Sequence, residues 1–583
     1  MASLSVEQKS IRKLLGEVNF LIPVYQRQYD WEERECSRLW EDLFSFAFSK
    51  GDNFDKDNDE YFLGPIVTFP RDKNGKIQEV IDGHQRLITL LLLLRALYTD
   101  IGEKSEKYCE TARKNIEKCI WETDEAEEPD INKFKIETLV ATDEAKQEFR
   151  DILRTGQAIS SQKSRYADNY RFFQKQIEEL SQSYFDIEER YNFPLMAIRI
   201  MNNCMLLPIE ADEQDTALQI FSTLNDRGKP LSDSDIFKAQ LYEYYDKQTP
   251  SRKDEFIERW KQLEERCTEI YQDKSLDEAF IRYMYYERAK MKEKSSTIEA
   301  LRKFYEVEAY RLLKRDTTFD NIIDLTNFWY DLFSPNSDRY KFSERVLKRL
   351  YVLKFSPNSM WEYIVSVYYM YNRDSIGMLD DEAFFTFLNK LIAFLLGYLL
   401  MGKSLSDLRA PIYAEMVNIV EGRQVEFKNY RFNSERLVRA YKNYEFTNKK
   451  ALTKLMLAWW AFKDEEQTLP PFSESFATEY IYSKSLKHEL KDPRNIELLG
   501  NRSLLEKSID IKSSDKRFVD KARYYTGAPA LLLFSKRKQG TRIKDLRDIA
   551  KNFADFTERD IIQRNDKILR EFIAYVKANG LLE

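Results

Sequence analysis

The stretch "VIDGHQRLITLLLLLRAL", residues 80–97, changes character halfway. Val80 and Ile81 read as the end of a strand. Asp82, Gly83, His84, Gln85 and Arg86 follow, and an almost purely apolar helix comes next. A strand that turns through Asp-Gly directly into a buried helix predicts a mixed α/β arrangement for residues 1 to about 100. The first N–H groups of such a helix lack intrahelical acceptors and, with the helix dipole, favour an anion. Gly83 lets the backbone approach a ligand closely. Arg86, in the first turn, can grip a phosphate with two N–H groups. Asp82 has the wrong charge for phosphate but suits a metal ion or an attacking water. His84 is one of only two histidines in the chain. An ordinary imidazole titrates near neutrality and can shuttle protons. The plainer reading is that Asp82 caps the helix and Arg86 pairs with an acidic neighbour.

Outward from this junction, "YFLGPIVTFP" and "KIQEVID" read as strands joined by the turn "RDKNGK". "SVEQKSIRKLLGE" and "EERECSRLWEDLFSFAFSK" read as amphipathic helices. "FLIPVYQRQYDW" is extended, because the residue before Pro23 is biased away from helix. A period of two there places Tyr25, Arg27 and Tyr29 on one face, with Gln26 and Trp31 in the same segment. From about 104 to 200 the pattern is helical, with the polar "ETDEAEEPDINK" read as a loop, and "CMLLPIEAD" is one more strand. "FSTLNDRGKPLSDSDIFKAQL" ends a helix at Asn225 and turns at Gly228-Lys229-Pro230. It restarts with Ser232 as N-cap and Asp235 at the third helical position. A second helix N-terminus therefore follows a loop carrying Asn225, Arg227 and Lys229.

The whole chain has 583 residues, 43% apolar and 33% charged, which is a globular composition too long for a single ordinary core. Only 16 Gly and 15 Pro predict that long helices outnumber turns. A net charge of −6 argues against wholesale nucleic-acid coating but leaves room for a local basic face. Five scattered cysteines, no CxxC pair and no apolar leader predict reduced thiols and a cytoplasmic location. No membrane is expected, because the run Leu90–Leu94 is short and bounded by Arg86 and Arg95. Residues 246 to about 450 read almost entirely as helix, with aromatic stripes that suit core packing.

Residues 494–547 hold 14 Lys/Arg against 6 Asp/Glu. They read as a Gly-Asn turn, a short apolar run and a basic helix. "FTERDIIQRNDKILREFI" is a further amphipathic helix. Such a charge run is either a solvated face or a surface for DNA phosphates.

Four of these stretches resemble the domain of unknown function 262, the N-terminal half of GmrSD-type modification-dependent restriction enzymes. Its pattern of Ile-Pro-x-Tyr-Gln-Arg-x-Tyr-x-Trp, Phe-Leu-Gly, Asp-Gly-Gln-Gln-Arg and Asn-x-x-Gly-x-x-Leu stands here at 22–31, 62–64, 82–86 and 225–231. That family is similar in fold to partition protein B (ParB) and sulfiredoxin. The resemblance implies binding and hydrolysis of a nucleoside triphosphate, GTP or another, with a divalent metal such as Mg²⁺. The implied catalytic residues are Asp82, His84, Gln85 and Arg86. The implied nucleotide contacts are Tyr25, Gln26, Arg27, Tyr29, Trp31, Gly83, Asn225, Arg227 and Lys238. His84 stands where the family usually has Gln.

The C-terminal region resembles the domain of unknown function 1524, an HNH-type nuclease. Gly500, Asn501, Leu504, Leu505, Phe518, Lys521, Ile561 and Arg564 match its pattern. The family's Glu-His-Ile falls on Glu479-Tyr480-Ile481, so Tyr480 replaces the histidine base, and its later Asn falls near Asp510. A phenol is a poor base near neutrality, and His488 is the nearest imidazole in sequence. The resemblance implies nuclease-like roles for Glu479, Tyr480, His488, Asn501, Asp510 and Lys521, with Asp510 as metal ligand. Lys516, Arg517, Arg523 and Arg564 would contact DNA, with Lys521 on the same basic helix.

Together these readings predict a mostly helical α+β protein. A small ParB/sulfiredoxin-like mixed-sheet domain spans 1–245, a helical middle 246–450 and an HNH-like domain 451–583. The leading expectation is an anti-phage defence protein of the GmrSD-like class acting on DNA, including modified phage DNA. One rival is a nucleotide-gated DNA-binding or partner-recruiting protein with no nuclease of its own, and another is a toxin-like nucleotidase. An operon-encoded protein partner and a homo-oligomer are both left open.

Overall fold

The computed structural model describes residues 4–23, 26–48, 50, 53–71, 75–105, 107–140, 143–158, 164–182, 192–211, 232–248, 250–271, 276–292, 300–333, 341–507, 509, 516–527 and 540–583. The packing divides the chain into two compact units, Met1–Lys253 and Asp254–Glu583.

The first unit is built on a mixed seven-stranded sheet. Its strands are β1 (Leu4–Val6), β2 (Lys9–Ser10), β3 (Asn19–Ile22), β4 (Tyr61–Pro70), β5 (Ile77–Asp82), β8 (Ile136–Thr138) and β9 (Cys204–Ala211). The order is β1-β9-β4-β5-β3-β8, with β2 also on β9. β4 runs antiparallel to β5 and parallel to β9, while β3 runs parallel to both β5 and β8. Helix α1 (Ile11–Glu17) is capped by the Ser10 hydroxyl, which accepts from the Lys13 N–H. The residues before it pair with β9 instead of extending the helix.

After α2 (Glu33–Phe48), α3 (His84–Ile101) is the core element, with every residue from Leu87 to Leu97 buried. It packs against α4 (Cys109–Ile120), α5 (Asp143–Thr155), α6 (Arg165–Gln182) and α7 (Phe193–Asn203). A helix covered on all sides has no polar face to keep, which explains its run of leucines. Each buried leucine contributes roughly 1.5–3 kcal/mol. The polar stretch expected as a loop is a hairpin instead. β6 (Trp121–Thr123) pairs antiparallel with β7 (Pro129–Phe134), with Trp121 opposite Phe134. Those two rings are buried and anchor it, and the residues between them are too polar to show a two-residue period.

The second unit is helical through the middle of the chain, among the described residues. Its aromatic stripes are core, as Trp260 stacks on Phe319, Phe328 on Tyr369 and Tyr285 on Tyr363. The helix Asp381–Leu400 is long and apolar enough to cross a membrane, and 72% of that window is buried within the unit. It packs against both Ala451–Phe462 and Glu558–Ala578, so the helical stretch and the terminal region share one core and no division falls at 450. In the terminal region β10 (Phe476–Tyr480) pairs antiparallel with β11 (Arg502–Glu506). The connection is three short 3-10 turns, Lys484–Glu489, Pro493–Glu497 and Leu499–Asn501. Gly500 is sealed against the last helix. A Cβ there would lie 2.1 Å from the Ile561 carbonyl oxygen, so no side chain fits.

Candidate functional site

The β5–α3 junction is made by Gly83, at φ +93°, which a side chain rarely adopts. A Cβ there would also lie 3.2 Å from the Ile66 side chain. The Asp82 carboxylate folds onto this turn, its Oδ1 accepting from the Gly83 N–H at 2.7 Å. Burial raises the Asp82 pKa, opposed by that N–H and by Arg86 and Arg27. The next N–H groups open the helix without intrahelical acceptors.

The segment after β3 is tied over this mouth by side chains from α3 and by its own. Gln26 Nε2 donates to the Ile81 carbonyl at 2.7 Å. Gln85 accepts from the Asp30 N–H through Oε1 and donates to the Gln28 carbonyl through Nε2, both at 2.8 Å. The first contact fixes which end of the amide is oxygen. His84 Nε2 lies 3.1 Å from the Arg27 carbonyl and 2.8 Å from Gln85 Nε2. That one nitrogen either donates to the carbonyl or accepts from the amide. His84 is buried, and burial, reinforced by Arg27, pushes its pKa down to about 3. It is therefore neutral near pH 7 and braces the segment, instead of titrating there as an ordinary imidazole would.

Arg27 and Tyr29, expected with Tyr25 on one strand face, lie beyond β3, which stops at Ile22; Tyr25 is outside the described residues. Tyr29 turns into the core. Asn169 donates to its hydroxyl at 2.9 Å, the hydroxyl meets Thr89 at 2.7 Å, and Thr89 donates to the Gln85 carbonyl. Asn169 also donates to the Trp31 carbonyl, and Trp31 packs against the core. Tyr29 and Trp31 thus support the mouth from behind. Thr89 and Asn169 carry no sequence signal for this role beyond lying on helices.

Arg27 and Arg86 face the mouth differently. Arg86 donates to the Pro65 carbonyl at 3.0 Å and lies against Gly64, where a Cβ would come within 3.3 Å of its guanidinium. Gly64 stands at φ +112° beside a bulge in β4, so the Phe-Leu-Gly motif is the seat of this arginine. Arg27 Nε is buried with no hydrogen-bond partner among the described residues. The charge of Arg27 acts on Asp82, His84 and Asp235 together. Asp235 belongs to α8 (Asp233–Asp246), where it closes a capping box with Ser232. Burial raises its pKa, opposed by Ser232, Arg27 and Lys238. The N-termini of α3 and α8 therefore converge on one cationic neighbourhood. Tyr25, Asn225, Arg227 and Lys229 lie outside the described residues.

The C-terminal residues are arranged otherwise than expected. Lys521 is fully buried, donating to Glu479 Oε1 at 2.9 Å and to the Tyr480 carbonyl at 2.6 Å. Tyr525 donates to the same Glu479 oxygen at 2.6 Å. Neither Lys521 nor Glu479 can meet DNA. Arg564 is also internal, held by the Gly500 and Arg502 carbonyls and by Asp545. Asn501 is buried and clamps the chain, accepting from the Tyr482 N–H and donating to the Tyr482 and Ile496 carbonyls.

Lys516, Arg517 and Arg523 are exposed. Lys516 meets the Tyr524 hydroxyl, Arg517 pairs with Glu489, and Arg523 lies 4.0 Å from Asp520. His488 is exposed in the first 3-10 turn. The Tyr480 hydroxyl donates to Glu497, and Lys484 and Arg502 surround it, three residues that no motif marked. Among the described residues no three His, Cys, Asp or Glu side chains group as metal ligands, and Asp510 lies outside them. The donors present suit a metal poorly here, since the Glu479 and Glu497 carboxylates are already taken by Lys521 and Arg502.

With this geometry in place, comparison with known families finds a match over the first unit. Residues 11–242 match the family described as the GmrSD restriction endonuclease, N-terminal domain. The match spans all of α3, its mouth and most of α8. No curated protein matches the chain.

Proposed function

We propose that the protein is a restriction-type defence protein that acts on DNA, and that its first unit binds and hydrolyses a nucleoside triphosphate at the mouth of α3. The observation that carries the reading is the buried Arg27 Nε, without a partner among the described residues, beside two helix N-termini. A buried guanidinium N–H left unbonded costs about 1–3 kcal/mol, which a phosphate oxygen would recover. The same place supplies the first N–H groups of α3, with Arg86 and Lys238 for the remaining phosphate charge. Gly83 keeps the approach open, and His84 and Gln85 hold the covering segment. Asp82 Oδ1 is occupied by the Gly83 N–H, and its second oxygen would orient the attacking water. A divalent ion carried in by the phosphates would neutralise part of their charge, and Asp82 is the carboxylate that would meet it. Phosphate release from ATP and GTP by the full chain tests this. Release is expected from the wild type and is lost in Asp82→Asn. Hydrolysis unaffected by that change, with a normal fold, overturns the assignment.

A second reading is favoured by the buried Glu479–Lys521–Tyr525 cluster. Its Glu479 falls, in sequence, on the first motif of the nuclease family that this region resembles. In that reading the C-terminal region binds DNA or recruits a partner under nucleotide control, and does not cut. Duplex DNA that is bound but never nicked supports it.

A further inference from the structure

Tyr480, which aligns with the histidine of the nuclease family that this region resembles, is not chemically blank. Tyr480 ends β10 directly opposite Arg502 of β11, so two strands fix their relation. The Tyr480 hydroxyl donates to Glu497 Oε2 at 3.0 Å. The Arg502 guanidinium lies over the Tyr480 ring, 3.8 Å from its centroid, and pairs with the same Glu497. Lys484 Nζ stands 3.6 Å from Glu497 Oε1 and 5.5 Å from the ring centroid. The side chain of Lys484 is 61% exposed, so the cluster opens to solvent on the lysine's side. The adjoining turns present Lys487, His488, Lys491 and Arg494 outward. A hydroxyl bonded to a carboxylate, flanked by two cations and approached over a basic rim, has the parts of an activated nucleophile aimed at a phosphate.

We propose that Tyr480 is a nucleophile that attacks a DNA phosphodiester. This rests on the reading that the C-terminal region acts on DNA, and it differs from the water activation that an imidazole base would give. In the step, the phenolic oxygen forms a bond to phosphorus while one phosphorus–oxygen bond to deoxyribose breaks. Glu497 takes the phenolic proton, and Lys484 gives a proton to the leaving sugar oxygen. One DNA end is left joined to the protein as a phosphotyrosine ester, with nothing oxidised or reduced. Arg502 is a positioning residue, holding ring and carboxylate together and placing positive charge beside the phenolate as it forms.

The test incubates the full chain with an end-labelled duplex oligonucleotide and follows label retained by protein in denaturing gels. A labelled band is expected, with phosphotyrosine at Tyr480 by mass spectrometry. Tyr480→Phe keeps the ring against Arg502, so it should melt normally and still shift DNA in a native gel, yet give no band. Glu497→Gln should slow band formation on the order of a hundredfold, as loss of a general base does, and Lys484→Ala should slow it as well. DNA bound by the wild type without any labelled band, nicking without a band, or a band that survives Tyr480→Phe each overturns the proposal alone. Absence of DNA binding by the wild type at low salt overturns the reading beneath it, and this proposal with it.

Discussion

His84 and Lys521 show how burial decides what a charged or titratable side chain does. The His84 pKa is pushed down to about 3 from an ordinary 6.5. Between those values the unfolded chain binds a proton that the folded chain refuses. Stability therefore falls as pH drops from 6.5 toward 3, by on the order of 1 kcal/mol per pH unit. His84→Gln removes that term, so its melting temperature should decline less than the wild type's across this window. The raised pKa values of Asp82 and Asp235 act in the opposite sense and are common to both proteins. Parallel melting curves for the two proteins between pH 6.5 and 4 would contradict a neutral buried imidazole. Lys521 carries no trace of its burial in the sequence, because it sits in a run of cations that reads as a solvated or DNA-facing helix. Removing it leaves Glu479 buried without its cation, at a cost of roughly 3–5 kcal/mol. Chemical denaturation of Lys521→Ala should show that loss, and an unchanged midpoint would place the lysine outside the core.

At the scale of elements, β4, β5 and α3 are legible because each carries its own pattern: alternation or an apolar run, a turn, and a leucine helix behind Asp-Gly. β1, β2 and β8 are not legible, being two or three residues long and defined only by pairing with distant strands. The β6–β7 hairpin was obscured by acidic residues on its exposed side. The site divides in the same way. Gly83, Gln26 and Arg86, all marked by motifs, gather at the β5–α3 junction, whereas Thr89, Asn169, Glu497 and Arg502 act through contacts that no spacing announces. The strand-to-helix junction is the element on which the mouth depends. Gly83→Ala must hold a positive φ and press on Ile66. It should cost on the order of 1–3 kcal/mol and weaken nucleotide binding with it. An alanine variant as stable as the wild type would mean that the turn relaxes freely.

For the whole molecule, the sequence marks a change near 246, and the packing divides at Lys253. The terminal region does not separate from the helices before it, because Ala451–Phe462 and Glu558–Ala578 bury their apolar faces against them. Two sites lie in two units: a cationic helix mouth in the first and a tyrosine–carboxylate–cation cluster in the second. The first carries the proposed nucleotide dependence of the protein. A ligand bound only to the folded state at a hundred times its Kd raises stability by about 2.7 kcal/mol, so nucleotide should raise the melting temperature. The most direct measurement is calorimetric titration of ATP and GTP into the full chain and into Arg27→Gln. Saturable binding of at least one nucleotide is expected. It should weaken about tenfold to a hundredfold in the variant, the size of one lost charge-assisted contact. No binding of either nucleotide by the wild type, or equal binding by a folded Arg27→Gln, would contradict a phosphate site at the mouth of α3.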